Sequence, residues 1–281
     1  MRVLVVGANG ALGSDLLSVL GQEAIGVTHA ELEIADPDSV SRCLDQCQPS
    51  HVINTAAFHQ VPLCESRFED ALKVNTLGAT YLARACQIRE ISLCHISTDY
   101  VFDGLKGSPY TETDCPAPLN AYAISKLAGE HAVLTYCDKA SVVRSCGLYG
   151  RVPTRAKGGN FVTTLVRLGK EREKLTVVND EWVTPTYTLD LAKALHHLLQ
   201  KEGRGIFHIT QSGAATWFDL AEVIFSVLKL PAKLEPVPAA QFQNEVKRPQ
   251  YSILDNGKFN RLTQAPLRTW QEALRDYLST F

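Results

Sequence analysis

The chain opens on an unbroken apolar run, Val3-Leu4-Val5-Val6, and short runs of this kind return through its first half. They stand at Ala24-Ile25-Gly26-Val27, His51-Val52-Ile53-Asn54, Ile91-Ser92-Leu93-Cys94-His95-Ile96 and Ser141-Val142-Val143. Strands that are apolar at consecutive positions are buried on both faces, as in a parallel sheet covered by helices. Between them apolar residues recur at helical spacing, over roughly 11–20, 38–47, 67–88 and 119–137. Asp36-Pro37 reads as an N-cap followed by proline at the first helical position. The alternation predicts successive βαβ units.

After Gly150 the pattern loosens. A polar stretch over 151–160 precedes a predicted helix near 161–170, and another helix begins near Leu189. Short strands are expected near Leu175–Val178 and Ile206–Thr210, and a last helix over about 268–279. Residues 230–252 carry prolines and little periodicity, which predicts a loop-rich cap. The fold class is α/β, a doubly wound parallel sheet of the Rossmann kind with a smaller C-terminal lobe. Residues 1–150 would form the core, completed by segments near 175–210, and 151–281 mainly the lobe.

Composition narrows the function classes. A chain of 281 residues that is 45% apolar and 21% charged can bury a core without disulfides or metal. Its net charge of −2, with no basic tract, gives no reason to expect nucleic acid. No apolar run approaches bilayer length, and the start leads directly into a strand, so neither membrane span nor signal peptide is expected. The cytoplasm is the expected compartment. The eight cysteines include no C-x-x-C pair and are read as reduced and structural.

Gly7-Ala8-Asn9-Gly10-Ala11-Leu12-Gly13 joins the first strand to the first helix. A dinucleotide site needs this arrangement, because glycines permit close backbone approach and a helix N-terminus offers free N–H groups to a pyrophosphate. Enzymes restricted to NAD usually carry an acid at the end of the second strand. Here Thr28 and His29 stand there, with no acid before Glu31, and both could bond a 2′-phosphate. This favours NADPH, with NADH also accepted.

Tyr122 and Lys126 lie four residues apart, on one face of a helix. A lysine cation beside a phenol lowers its pKa and makes it usable as an acid or base near neutrality. Just after the fourth run comes Ser97-Thr98-Asp99-Tyr100-Val101-Phe102-Asp103-Gly104, a hydroxyl-rich strand end. Open α/β sheets bind ligands at such ends, so Thr98 and Asp99 are candidate substrate contacts.

At STDYVFDG (97–104), NAYAISKLAGE (120–130), GGNFVTTLVRL (158–168), PTYTLDLA (185–192) and RPQYSILDNGKF (248–259) the chain resembles the extended short-chain dehydrogenases, specifically the dTDP-4-dehydrorhamnose reductases. The resemblance implies reduction of the 4-keto group of a dTDP-linked 6-deoxyhexose, in the supply of deoxysugars for cell-surface polysaccharide. It implies a catalytic set of Thr98, Tyr122 and Lys126, the last two also holding the nicotinamide ribose. Gly7, Gly10 and Gly13 would contact the pyrophosphate, with amides from Asn9, Ala11 and Leu12. Asp36 would approach the adenine, Ala56 and Ala57 the ribose, and Asn160 and Arg248 the nucleotide of the substrate. A homodimer is the candidate assembly. Asp15 and Asp190 match positions that meet a metal in some relatives, but they are read here as solvated surface acids, with no metal expected. Two positions depart from the family pattern. Gly147 stands where many relatives have Trp, which predicts a roomier sugar pocket, and Val61-Pro62 stands in place of Val-Asp. The rival readings are an NAD-dependent epimerase or dehydratase, and a non-catalytic regulatory subunit.

Overall fold

All four residues of the first run are buried, because helices cover both faces of the sheet that this run starts. The computed structural model describes residues 1–152, 159–242 and 246–281; most of the polar stretch 151–160 lies outside them. Six parallel strands form one sheet: β1 Val3–Val6, β2 Ala24–Val27, β3 His51–Asn54, β4 Ser92–Thr98, β5 Ala140–Ser145 and β6 Gly205–His208. Their spatial order is β2-β1-β3-β4-β5-β6. The chain therefore crosses from one side of β1 to the other between β2 and β3, and a crevice opens at that switch point.

The helices that cover the sheet and build the lobe are α1 Ala11–Leu20, α2 Pro37–Cys47, α3 Ala79–Ile88, α4 Ala121–Tyr136, α5 Phe161–Glu171, α6 Thr188–Gln200, α7 Trp217–Leu228 and α8 Trp270–Leu278. On one face of the sheet Leu12 and Leu16 of α1 meet Leu191 and Leu195 of α6 in a single cluster. On the other face Val40 and Leu44 of α2, Leu82 and Cys86 of α3 and Val133 of α4 form a second. Each fully buried leucine contributes about 1.5–3 kcal/mol. A third cluster, with Val162, Leu165, Leu220, Ile224 and Leu274, is the core of the smaller lobe. The core and the lobe are interleaved in sequence, since β6 and α6 belong to the sheet while α5, α7 and α8 build the lobe.

The strands and helices of the first half fall where the apolar pattern puts them, with one instructive difference, and the second half adds another. The segment read as one helix over 67–88 is three pieces: Phe68–Leu72, a π-helical stretch Lys73–Gly78, and α3. The π stretch presents the Asn75 carbonyl to α4 so closely that a Cβ on Gly129 would lie 2.2 Å from it. The second difference is in 230–252, where Lys233–Val237 forms a strand parallel to Lys174–Val178 despite Pro236. A two-stranded sheet has only edge strands, and an edge tolerates proline.

Candidate active site

The glycine turn is shaped by backbone sterics. Gly7 takes φ +82°, and a Cβ there would lie 2.7 Å from Thr55 Oγ1. At Gly13 a Cβ would lie 2.3 Å from the Gly7 carbonyl and 2.8 Å from Ala8 Cα. Gly10 is the N-cap of α1 and offers no side chain, so none blocks the first-turn amides of Ala11, Leu12 and Gly13. These features fit a dinucleotide pyrophosphate, which needs close backbone approach and unblocked N–H donors. The register of β1 with β2 and β3 brings Thr28, the turn, and Ala56-Ala57 to one edge.

Two neighbours of this cradle are engaged within the protein. Glu31 folds back to accept the Thr28 N–H at 2.7 Å, and the exposed His29 pairs with Glu33 at 2.9 Å. Asp36 caps α2, accepting from the Asp38 N–H at 3.0 Å.

The helix α4, which carries Tyr122 and Lys126, is held on three sides. Its N-cap Asn120 accepts from the Ala123 N–H and donates to the Lys247 carbonyl. Glu65 accepts the Ala121 N–H at 2.9 Å. Further along, buried Glu130 is gripped by the Arg144 guanidinium of β5 at 2.6 Å and by the Ser97 hydroxyl of β4 at 2.5 Å. Removing one partner of such a pair costs about 3–5 kcal/mol, because a buried charge is left uncompensated. Asn75, which sequence reasoning missed, donates to Ser125 and to the Phe58 carbonyl, and so ties α4 to the loop after β3. Its only signal in the sequence was a polar residue inside an apolar helical run.

This scaffold brings the Thr98 side chain close enough to the Tyr122 phenol to act on it. Burial and then the charge of Asp99 push the phenol above its ordinary value, with Thr98 opposing. The expected pairing with Lys126 is different here. Lys126 Nζ turns to the Ile96 carbonyl at 2.6 Å and to His95 Nε2 at 3.2 Å. The structure therefore corrects the expectation of a phenol lowered by its lysine. Burial instead pulls Lys126 down to about 8, with Glu130 opposing.

Asp99 lies beneath the site. It accepts from Thr98 Oγ1 at 3.1 Å and from the Cys146 thiol at 3.0 Å. Burial raises its carboxyl despite hydrogen bonds from Ser252, Cys146 and Thr98. At 3% exposure it supports Thr98 from behind.

The lobe contributes the remaining wall. Gly104, at φ +80°, packs so tightly on Pro249 and Gln250 that a Cβ would lie 2.6 Å from the Gln250 nitrogen. This contact and the Asn120 bond to Lys247 place exposed Arg248 beside the strand end, where its charge acts on both Tyr100 and Glu181. Tyr100 meets Tyr122 edge to face at 6.2 Å. Asn160 is spent elsewhere: it caps α5 and donates to the Gly150 carbonyl and to Tyr277. The structure thus gives it a cap's role in place of the expected substrate contact. Trp217, at the start of α7, packs at a tilt against Phe161, ring centroids 4.7 Å apart, and donates to Glu181 at 3.1 Å. Its ring edge lies 3.6 Å from where a Cβ of Gly147 would be. The space at Gly147 is bordered by this indole and by Pro185. Pro62 stands in the first turn of the helix Val61–Ser66.

Asp15 and Asp190 are not the solvated surface acids expected. Asp15 is buried and accepts from Thr188 at 2.5 Å, and Asp190 pairs with Arg268 at 2.7 Å and Gln211 at 2.6 Å. Among the described residues no group of three His, Cys, Asp or Glu side chains could hold a metal, and no helix is long and apolar enough to cross a membrane. All eight cysteines lie among the described residues, and none is joined in a disulfide.

Comparison with known proteins agrees with this geometry. A dTDP-4-keto-6-deoxy-D-glucose reductase of Streptomyces niveus is 40% identical over 97% of this chain and 95% of its own. A dTDP-4-dehydrorhamnose reductase from Clostridium acetobutylicum ATCC 824 superposes with TM-score 0.94 at 36% identity, covering 100% of this chain and 99% of that one. Another from Bacillus anthracis, solved in complex with NADP, gives TM-score 0.94 at 34% identity, with 100% and 99% covered. The family model of the RmlD substrate binding domain matches residues 1–281, and the chain belongs to that family.

Proposed function

We propose that the protein reduces the 4-keto group of a dTDP-4-dehydro-6-deoxyhexose, using NADPH. One observation carries the reading: Thr98 and Tyr122 meet at the C-terminal edge of the sheet, beside a glycine turn shaped for a pyrophosphate. The similarity to two kinds of dTDP-sugar ketoreductase supports the substrate class. The NADP complex of a relative supports the cofactor.

The chemistry follows from the residues. NADPH, held by the glycine turn and the first-turn amides of α1, would supply hydride to the carbonyl carbon. Tyr122 donates the proton to the carbonyl oxygen: its raised phenol holds that proton at neutral pH and gives it up once a cation stabilises the phenolate. Thr98 orients that oxygen while its own hydroxyl is anchored by Asp99. Lys126, as its ammonium, stabilises the phenolate left behind. Arg248 offers a permanent charge to the substrate's diphosphate. NADH is accepted as well, since the groups suited to a 2′-phosphate are already engaged by Glu31 and Glu33.

The testing assay offers dTDP-4-keto-6-deoxyglucose, its 4-keto-rhamnose epimer, the free sugars and UDP counterparts, and follows loss of reduced-nicotinamide absorbance. Activity confined to dTDP-linked ketosugars is expected. Equal turnover of free sugars would reject the proposal.

A further inference from the structure

Asn54 ends β3 and His95 lies beside it in β4, as register partners in the parallel sheet. Asn54 Oδ1 accepts the Ala56 N–H at 3.1 Å. That bond fixes the orientation of the amide, since a backbone N–H needs an oxygen and would oppose an NH₂ group. The amide nitrogen Nδ2 therefore faces His95 Nδ1, at 3.0 Å. Nδ2 is a donor, so Nδ1 must accept, and a neutral imidazole then carries its hydrogen on Nε2. Nε2–H points at Lys126 Nζ, 3.2 Å away. An ammonium has only donors, so this contact is a hydrogen bond only if Nζ is the free amine. The amine then accepts from His95 and donates to the Ile96 carbonyl at 2.6 Å.

We propose that His95, its tautomer locked by Asn54, is a positioning residue that favours the free amine of Lys126, so that the lysine binds its proton more tightly on leaving this contact for Tyr122. The inference rests on the reading of Lys126 as the partner of Tyr122. The surroundings agree with it. His95 is 1% exposed and Lys126 2%, so neither charge is solvated here. Burial holds His95 well below its ordinary value, so the imidazole stays neutral. The titratable groups acting on Lys126 are His95 from β4 and Glu130 one turn on in its own helix, and Glu130 is already neutralised by Arg144. Asp99 and Cys64 act on Tyr122.

The first test is the tautomer itself, read from the imidazole nitrogens of the unliganded protein by long-range ¹H–¹⁵N NMR. A protonated Nε2 and bare Nδ1 are expected, and an Nδ1–H or imidazolium form would overturn the proposal. The second test is the pH profile of kcat/KM, which reports the free enzyme. Reduction needs Lys126 as ammonium, so activity should fall on an alkaline limb as that proton is lost. Asn54→Asp accepts from Nδ1–H and turns Nε2 into an acceptor for an ammonium. His95→Gln presents an amide oxygen in its place. Both should move the alkaline limb upward by about one pH unit, a typical effect of exchanging a donor for an acceptor beside a buried charge. A uniform loss of rate with the limb unmoved in both variants would leave His95 merely structural and sink the proposal. Lys126→Met separates the two readings. If the limb persists without the lysine, the pairing with Tyr122 fails, while the NMR result still decides the tautomer lock.

Discussion

The two walls of the cleft are made of different material. The cofactor side is backbone: a turn in which Gly7 and Gly13 leave no room for a Cβ, followed by a helix whose N-cap has no side chain. The side proposed for the substrate is side chains, with Tyr100, Glu181, Trp217 and Arg248 gathered from segments as much as 148 residues apart. A backbone site is specified by a few consecutive residues and changes little with its surroundings. A side-chain site depends on how distant segments dock, here through Gly104 against Gln250 and Asn120 against Lys247. The difference teaches that cofactor binding should be robust to substitutions around it, and substrate choice sensitive to them.

The largest effect should come from the group that joins the two walls. Tyr122→Phe removes the proton donor and should lower kcat by ~10²–10⁴, with nicotinamide binding retained by fluorescence titration. Turnover within a few-fold of the parent would break the assignment. Next, Gly13→Ala should weaken NADPH binding at least about tenfold, because its Cβ forces the Gly7 carbonyl out of the turn. Calorimetry showing unchanged affinity would mean that the cradle is not made of backbone. On the other wall, Arg248→Ala should raise KM several-fold and leave kcat nearly constant, as for a contact equal in ground and transition states. A matching fall in kcat would place Arg248 in the chemistry. The smallest effect concerns the cofactor's far end. Glu31→Gln removes a carboxylate from Thr28 and should shift the NADPH-to-NADH affinity ratio toward NADPH by about fivefold, the scale of one solvent-screened charge contact. A ratio that does not move would show that Glu31 is remote from the 2′-phosphate.

What could be read from the sequence divides along the same line. The glycine turn, the first strands and the Tyr122/Lys126 spacing are local patterns, and the structure has Gly7, Gly13 and α4 where those patterns put them. The direction of Lys126 was not legible, because it is set by the Ile96 carbonyl and His95 in another strand. Asn160 looked like a ligand contact, yet its amide serves a helix cap whose partner Tyr277 lies more than a hundred residues on. Asp15 and Asp190 looked solvated because isolated acids usually are; their partners Thr188 and Arg268 come from elements that periodicity cannot dock. The strand at Lys233–Val237 was hidden by Pro236, which reads as a breaker until the strand is known to be an edge.

The late arrival of β6 bears on how the protein is made. During synthesis, the first 150 residues emerge with β5 still lacking its outer neighbour and with Leu12 and Leu16 still lacking Leu191 and Leu195 above them. A nascent chain at that length offers a bare strand edge and an uncovered apolar face, the two features that invite association with other chains. Only when residues 188–208 have left the ribosome can α6 cover the face and β6 close the edge. The enzyme should therefore depend most on chaperones in the interval between those two lengths, and fragments ending inside it should be recovered as aggregates.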